Sequence, residues 1–279
     1  MSTSVSSAKK RSLGPVSGSL ATLVERRWLI WYFVQRQLSR SYRNSFLGIL
    51  WLVLSPLLMI VLYTLVFSEF LGLRFREGAG AVNFGLYLYC GLIPFMAYGD
   101  TVNQSVRSIR SNSTLVQKVV FPLEILPLSA AATAIISQVF GFGMLIFLVA
   151  LLEHQLHWTA VLIPLMMVPQ LLFVLGLSFL GAVVGTYLPD VRETLRAVVR
   201  ATFFITPILW PADRVPDDLR FLVDYNPIAY LVESYRALVL EGRLPDMSAT
   251  LWFTLFAGAL CLAGFLLFVR VKERFADLV

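Results

Sequence analysis

Residues 125–152 read ILPLSAAATAIISQVFGFGMLIFLVALL, and no charge interrupts them. A helix needs about 20 apolar residues to cross the hydrocarbon core of a bilayer, so this stretch is long enough to span it. Working outward, five further stretches read the same way: 46–70, 83–101, 159–187, 196–212 and 249–269. The 196–212 stretch is the weakest, being short and interrupted by Pro207 and Pro211, each of which removes a backbone donor. The whole chain follows suit, with 58% hydrophobic and 14% charged residues. A soluble domain carries about 25% charged residues. Lipid gives backbone groups no hydrogen-bond partner, so spanning segments must be helices or a closed barrel. The apolar runs are continuous rather than alternating, which disfavours a barrel. The expected fold is an all-α integral membrane protein with six transmembrane helices.

Basic residues set the orientation. Seventeen of the 23 lysines and arginines precede span 1, lie between spans 2 and 3 or between spans 4 and 5, or follow span 6. The alternate segments hold the other six, so both termini are expected on the cytoplasmic side of a multi-pass protein. The net charge of +6 is mainly this topology signal, and its division among four segments argues against a nucleic-acid partner. The chain opens with about 43 polar or mixed residues, unlike a secretory signal. Residues 1–20, rich in Ser, Gly and Lys, are expected to form a flexible tail, and 44–279 the transmembrane domain. Cys90 and Cys261 both fall inside spans, so no disulfide is expected.

Three segments between the spans carry information. Residues 22–43 form an amphipathic interface helix, with Val24, Trp28, Trp31, Leu38 and Tyr42 on one side and Glu25, Arg36, Arg40 and Arg43 on another. Leu29 and Phe33 break this pattern by falling near the charged side. Arg40 and Arg43 meet either lipid phosphates or an anionic headgroup of a substrate. In the loop 102–124, Asn112 or Ser113 is placed to cap a short helix through Leu115 to Lys118, a candidate docking element. Segment 211–248 holds four basic and seven acidic residues, yet 228–240 is largely apolar and helix-like, with Pro227 at its start and Gly242 past its end. A re-entrant or extracytoplasmic helical hairpin between spans 5 and 6 accommodates both features; it acts as an outer gate or as a cap that seals the bundle. Gly181 and Gly185 form a small-xxx-small pattern suited to helix packing within the chain rather than to dimerisation.

Enzyme chemistry finds no foothold. No phosphate-loop motif is present, His154 and His157 form no recognisable zinc motif, and no catalytic or metal-binding residue is expected.

Taken together, several blocks resemble the membrane permease of type 2 ABC exporters, and among these the polysaccharide-export family of O-antigen, capsule and teichoic-acid systems. The blocks are Arg40 to Gly48 through Trp51, Ser55 to Leu58, Gly91 to Phe95, Lys118 to Pro127, Thr206 to Pro211, Asn226-Pro227, Glu233 to Arg236, and Gly242. The family often has Arg-Asp after span 4, where this chain has Pro189-Asp190, and Asn where it has Ser55. The resemblance implies a homodimer bound to two copies of a separate ABC ATPase subunit, which carries the ATP and Mg; no cofactor is expected on this chain. It implies export of undecaprenyl-diphosphate-linked polysaccharide across a bacterial inner membrane, with membrane lipids as surroundings. Under it, Arg40 and Arg43 are headgroup candidates. Trp51, Tyr63, Phe67, Tyr98, Phe203 and Phe204 are channel aromatics. Arg107, Arg110, Leu115 and Lys118 contact the ATPase, and Pro227, Tyr230, Tyr235 and Arg236 belong to the outer gate. The rivals are an exporter of a drug or simple lipid, and a membrane-embedded enzyme acting on lipid-linked sugars.

Overall fold

The computed structural model describes residues 25–42, 51–70, 72, 81–118, 121–154, 156–211 and 215–279. Every regular element among them is helical. The order is α1 (Arg27–Tyr42), α2 (Trp51–Tyr63) running into a π-helical stretch Thr64–Phe70, α3 (Ala81–Ser108), α4 (Ser113–Lys118), α5 (Ile125–Leu152), α6 (Ile163–Tyr187) and α7 (Val191–Ile205). Then come α8 (Phe221–Asp224), α9 (Pro227–Arg236) with a π-helical extension Ala237–Glu241, α10 (Met247–Val271) and α11 (Phe275–Leu278).

Among the described residues, three helical runs are both long and apolar enough to cross a membrane: Ile125–Leu152, Trp158–Tyr187 and Met247–Leu278. With the family-independent criteria of length and apolarity met three times, the chain is a multi-pass membrane protein. α3 has 28 residues, enough length for a crossing, but turns polar towards its end at Asp100, Asn103 and Gln104. The expected fifth span, 196–212, differs from the structure. Its helix begins earlier, at Val191, and stops at Ile205, because Thr206 is extended (φ −75°, ψ 136°) ahead of Pro207. At 15 residues α7 is about 22 Å long, short of a full crossing.

α6 is the centre of the bundle. It pairs along its length with α10, and α3 packs against both α5 and α6. Glycines permit these close approaches. A Cβ on Gly185 would lie 2.1 Å from the Val106 carbonyl oxygen on α3, and one on Gly176 would lie 2.8 Å from the Cys261 nitrogen on α10. The intramolecular role expected of Gly181 and Gly185 is what these contacts display, since Gly181 likewise faces Ser105 of α3.

The core has two parts. A large cluster joins α3, α5, α6, α9 and α10 through residues such as Tyr89, Phe142, Phe173, Val232 and Phe253. A smaller one gathers Phe33, Ile109, Val116, Ile125, Phe268 and Phe275. The second cluster brings together α1, α4, the start of α5 and the ends of α6 and α10. The basic segments identified in the sequence therefore share one end of the bundle, called here the basic end. Cys90 and Cys261 are free thiols.

Candidate functional site

At the basic end α1 lies along α5. Phe33 and Val34 are buried there, with the Phe33 ring 5.5 Å from Phe121, while Trp28, Trp31 and Tyr32 are exposed. α1 therefore has two apolar sides, one for the protein and one facing outward, which is why Leu29 and Phe33 did not fit a single amphipathic stripe. Between α1, the last turn of α3 and the first turn of α5 opens a cavity of about 240 Å³. Phe33, Arg36, Gln104, Arg107, Asn112 and Ser129 help to line it, and no lining residue is acidic. Arg107 lies beyond the 83–101 span. Its guanidinium pKa is pulled below the ordinary value, first by burial and then by the neighbouring charges of Arg192 and Arg196.

α4 follows directly. Asn112 does not cap it. The Asn112 side-chain amide instead donates back to the Ser108 carbonyl at 2.8 Å, closing the end of α3. Arg110 has a structural task, donating to the Gly185 carbonyl at 3.2 Å and the Thr186 carbonyl at 2.8 Å. It thereby satisfies the terminal carbonyls of α6, which have no partner within that helix. Leu115 turns inward against the smaller core cluster. Thr114 and Gln117 face out, and Gln117 donates to the Val279 carbonyl oxygen. Beside α4 sits a pair that sequence reading missed: Glu124, only 2% exposed at the start of α5, accepts from Lys272 at 2.5 Å. Glu124 had been quoted only as part of a motif, and nothing in a linear sequence pairs it with a lysine 148 positions away.

At the opposite end, α9 is folded into the bundle. Asn226 caps it, its side-chain oxygen accepting from the Ile228 amide at 2.9 Å, and Pro227 follows at the first helical position. The Tyr230 hydroxyl donates to Thr250 at 2.7 Å on α10. Gly242 closes the π-helical extension at φ +65°, where a side chain would be strained and a Cβ would meet His157 at 2.6 Å.

Arg236 is 0% exposed. Its guanidinium donates to the Tyr87 hydroxyl at 2.7 Å, to the carbonyls of Pro207 at 2.6 Å and Ile208 at 2.9 Å, and to the Glu233 carboxylate at 2.9 Å. It also lies over the Tyr87 ring, 3.5 Å from the centroid. One side chain thus joins α9, α3 and the broken end of α7. Next to it, Gln138 of α5 and Gln170 of α6 exchange two amide hydrogen bonds at 2.7 and 2.9 Å, and the Tyr235 hydroxyl donates to the Gln170 oxygen at 2.6 Å. Gln138 and Gln170 were readable as the lone amides of two apolar runs, a signal that polar glue holds the helices; the partner was not readable.

The expected channel aromatics separate. Tyr98 is buried within the chain's own core, stacked on Phe173 with centroids 6.4 Å apart. Phe203 is half-buried against Phe95, Tyr63 is half-buried beside the large core cluster, and Phe204 is exposed. Arg43 and the 1–20 tail lie outside the described residues, as do the side chains of Arg40, Trp51, Phe67 and Lys118.

Comparison with known proteins bears on this arrangement. The family model described as ABC-2 type transporter matches residues 29–240. The chain is 29% identical over 257 residues to an O-antigen export system permease protein of Myxococcus xanthus, covering 91% of this chain and 96% of that one. It is 26% identical to the O-antigen export system permease protein of Klebsiella pneumoniae, covering 90% and 95%. To the polysialic acid transport protein of Escherichia coli it is 23% identical, covering 86% and 91%.

Proposed function

The chain belongs to the ABC-2 type transporter family, and from that premise we propose that it is the permease subunit of an ATP-driven exporter of polysaccharide. One observation carries the reading. Relatives named as O-antigen export permeases align with 90% or more of this chain and 95% or more of their own length, so the whole domain is shared and not a fragment of it. The cargo is a polymer on a polyprenyl diphosphate carrier, moved from the inner to the outer face of a bacterial inner membrane. The basic end faces the cytoplasm, in keeping with its charge. Two copies of the chain form the pathway, and each engages a separate ATPase subunit that carries ATP and Mg.

The geometry supplies a route for force. α4 is not a free loop, because Leu115 and Val116 join it to the cluster that holds the ends of α6 and α10. A push on α4 reaches these helices through packed side chains. α9, bonded into the opposite end by Tyr230, Tyr235 and Arg236, acts as the outer gate and dips into the membrane as a re-entrant unit, which its internal hydrogen bonding permits.

Arg110 is an unsuitable probe of docking, since its loss would also uncap α6. Thr114 is exposed and bonds to no side chain among the described residues, so Thr114→Arg should leave the permease folded while blocking the contact. Co-purification of the ATPase should fall at least fivefold at equal permease levels. Wild-type recovery of the complex would remove α4 from the interface.

The reading itself is tested in cells. Deleting the gene should abolish surface polymer and cause lipid-linked polymer to accumulate inside. Restoring the chain should reverse both effects, and restoring an Arg40→Gln, Arg43→Gln form should not, at equal membrane levels. Guanidinium groups bind phosphate oxygens through paired charge-assisted bonds, which glutamine cannot supply. Normal polymer display in the deletion strain would overturn the reading.

A further inference from the structure

The cavity between α1, α3 and α5 has an unusual charge balance. Arg36 and Arg107 both line it, and neither has a carboxylate within 4 Å among the described residues. The Arg107 Nε donates to the Asn103 carbonyl at 3.0 Å, and its terminal amino groups have no partner among the described residues. Arg36 lies over the Phe33 ring, 5.8 Å from its centroid, and makes no ion pair among the described residues. Beside them, the Gln104 side-chain oxygen is buried and unpartnered, and amide oxygen and nitrogen can exchange places by a flip. The nearby Arg192 also has a buried Nε with no partner. Arg107 also feels the neighbouring positive charges of Arg192 and Arg196, and an anion in the cavity would offset that repulsion.

Position narrows the ligand. Arg107 follows the 83–101 span by six residues, which places it about 9 Å beyond the apolar stretch, at headgroup depth. A volume of about 240 Å³ is ample for a phosphate or diphosphate but not for an oligosaccharide.

We propose that this cavity is a binding site for the phosphate or diphosphate headgroup of a lipid, held by Arg36 and Arg107. The assignment to a phosphate rests on the cavity alone; only the identification of that lipid as the exported cargo rests on the exporter reading.

The test uses the full chain, purified in phosphatidylcholine nanodiscs, with three probes: undecaprenyl diphosphate, dioleoylphosphatidylglycerol and inorganic diphosphate. Retention is followed by native mass spectrometry. Arg36→Gln with Arg107→Gln should weaken retention at least tenfold. Arg107→Lys should restore part of it, and Arg270→Gln, at the same end but outside the cavity, should have no effect. Loss confined to undecaprenyl diphosphate identifies the cargo headgroup, and equal loss of both lipids identifies a bilayer-lipid site. Response of inorganic diphosphate alone, with both lipids unaffected, overturns the proposal, as does unchanged retention of every probe. If the double glutamine form fails to fold, Ser111→Trp obstructs the exposed mouth while keeping both charges, and it must also lower lipid retention. Failure of polymer export would be scored separately in cells, so a chain with another cargo could lose lipid retention on mutation and leave the site standing.

Discussion

Replacement of Arg236 by methionine should remove most of the folded protein from the membrane. The substitution keeps bulk but withdraws the guanidinium that donates to the Tyr87 hydroxyl and to the carbonyls of Pro207 and Ile208. The two carbonyls lie where the chain breaks after α7, beyond the last helical residue Ile205. Leaving the buried Pro207 and Ile208 carbonyls without these bonds costs about 1–3 kcal/mol each, because they stay desolvated. A loss of that size lowers cellular abundance severalfold. Lysine should be intermediate, since one ammonium group cannot span two carbonyls and a ring. The check is the monodisperse yield after extraction, together with thermal stability. Wild-type yield and stability in Arg236→Met would show that the guanidinium is dispensable. Methionine should act upstream of gating, by preventing assembly.

The second large effect concerns α6. Gly185→Ala should destabilise the bundle by at least about 3 kcal/mol, the upper end for an overpacked core. Its Cβ would meet Val106 backbone atoms at 2.1 and 2.8 Å, and backbone cannot rotate aside. Gly181→Ala should cost about 1 kcal/mol, because its obstacle is the Ser105 hydroxyl at 2.3 Å, a side chain that can turn. The contrast extends to rescue. Ser105→Ala should relieve Gly181→Ala, whereas Val106→Ala should not relieve Gly185→Ala. Thermal unfolding of the four purified forms measures this. Equal stability of the two alanine variants would refute the α3–α6 contact as drawn.

These two sites also indicate what a linear sequence conveys. Gly181 and Gly185 announced a close helix contact, since spacing alone puts them on one face, but not that α3 was the partner. The 125–152 run announced a crossing, because apolar length is a local property. Leu29 and Phe33 looked like errors in an amphipathic pattern until α5 supplied a second surface for them. Arg110 read as an ATPase contact, and only the fold brought the end of α6 within its reach. Arg236 was noticed in a motif shared with a family, but a charge fully enclosed by protein cannot be told from an exposed one by composition. Pro207 did mark the end of a helix, and α7 starts at Val191, directly after the turn that closes α6.

The Gln138–Gln170–Tyr235 cluster has a mechanical consequence. Apolar helix surfaces in lipid discriminate poorly between neighbouring alignments, and the two reciprocal amide bonds act as a key that fits α5 to α6 in one register. Sliding these helices past each other would break both bonds, each worth about 0.6–2 kcal/mol in a membrane. Withdrawing Tyr235 breaks the short bond to Gln170 and a longer one of 3.4 Å from Gln138, while the amide pair stays closed on itself. Loss of the Tyr235 bonds alone would therefore leave α5 and α6 in register.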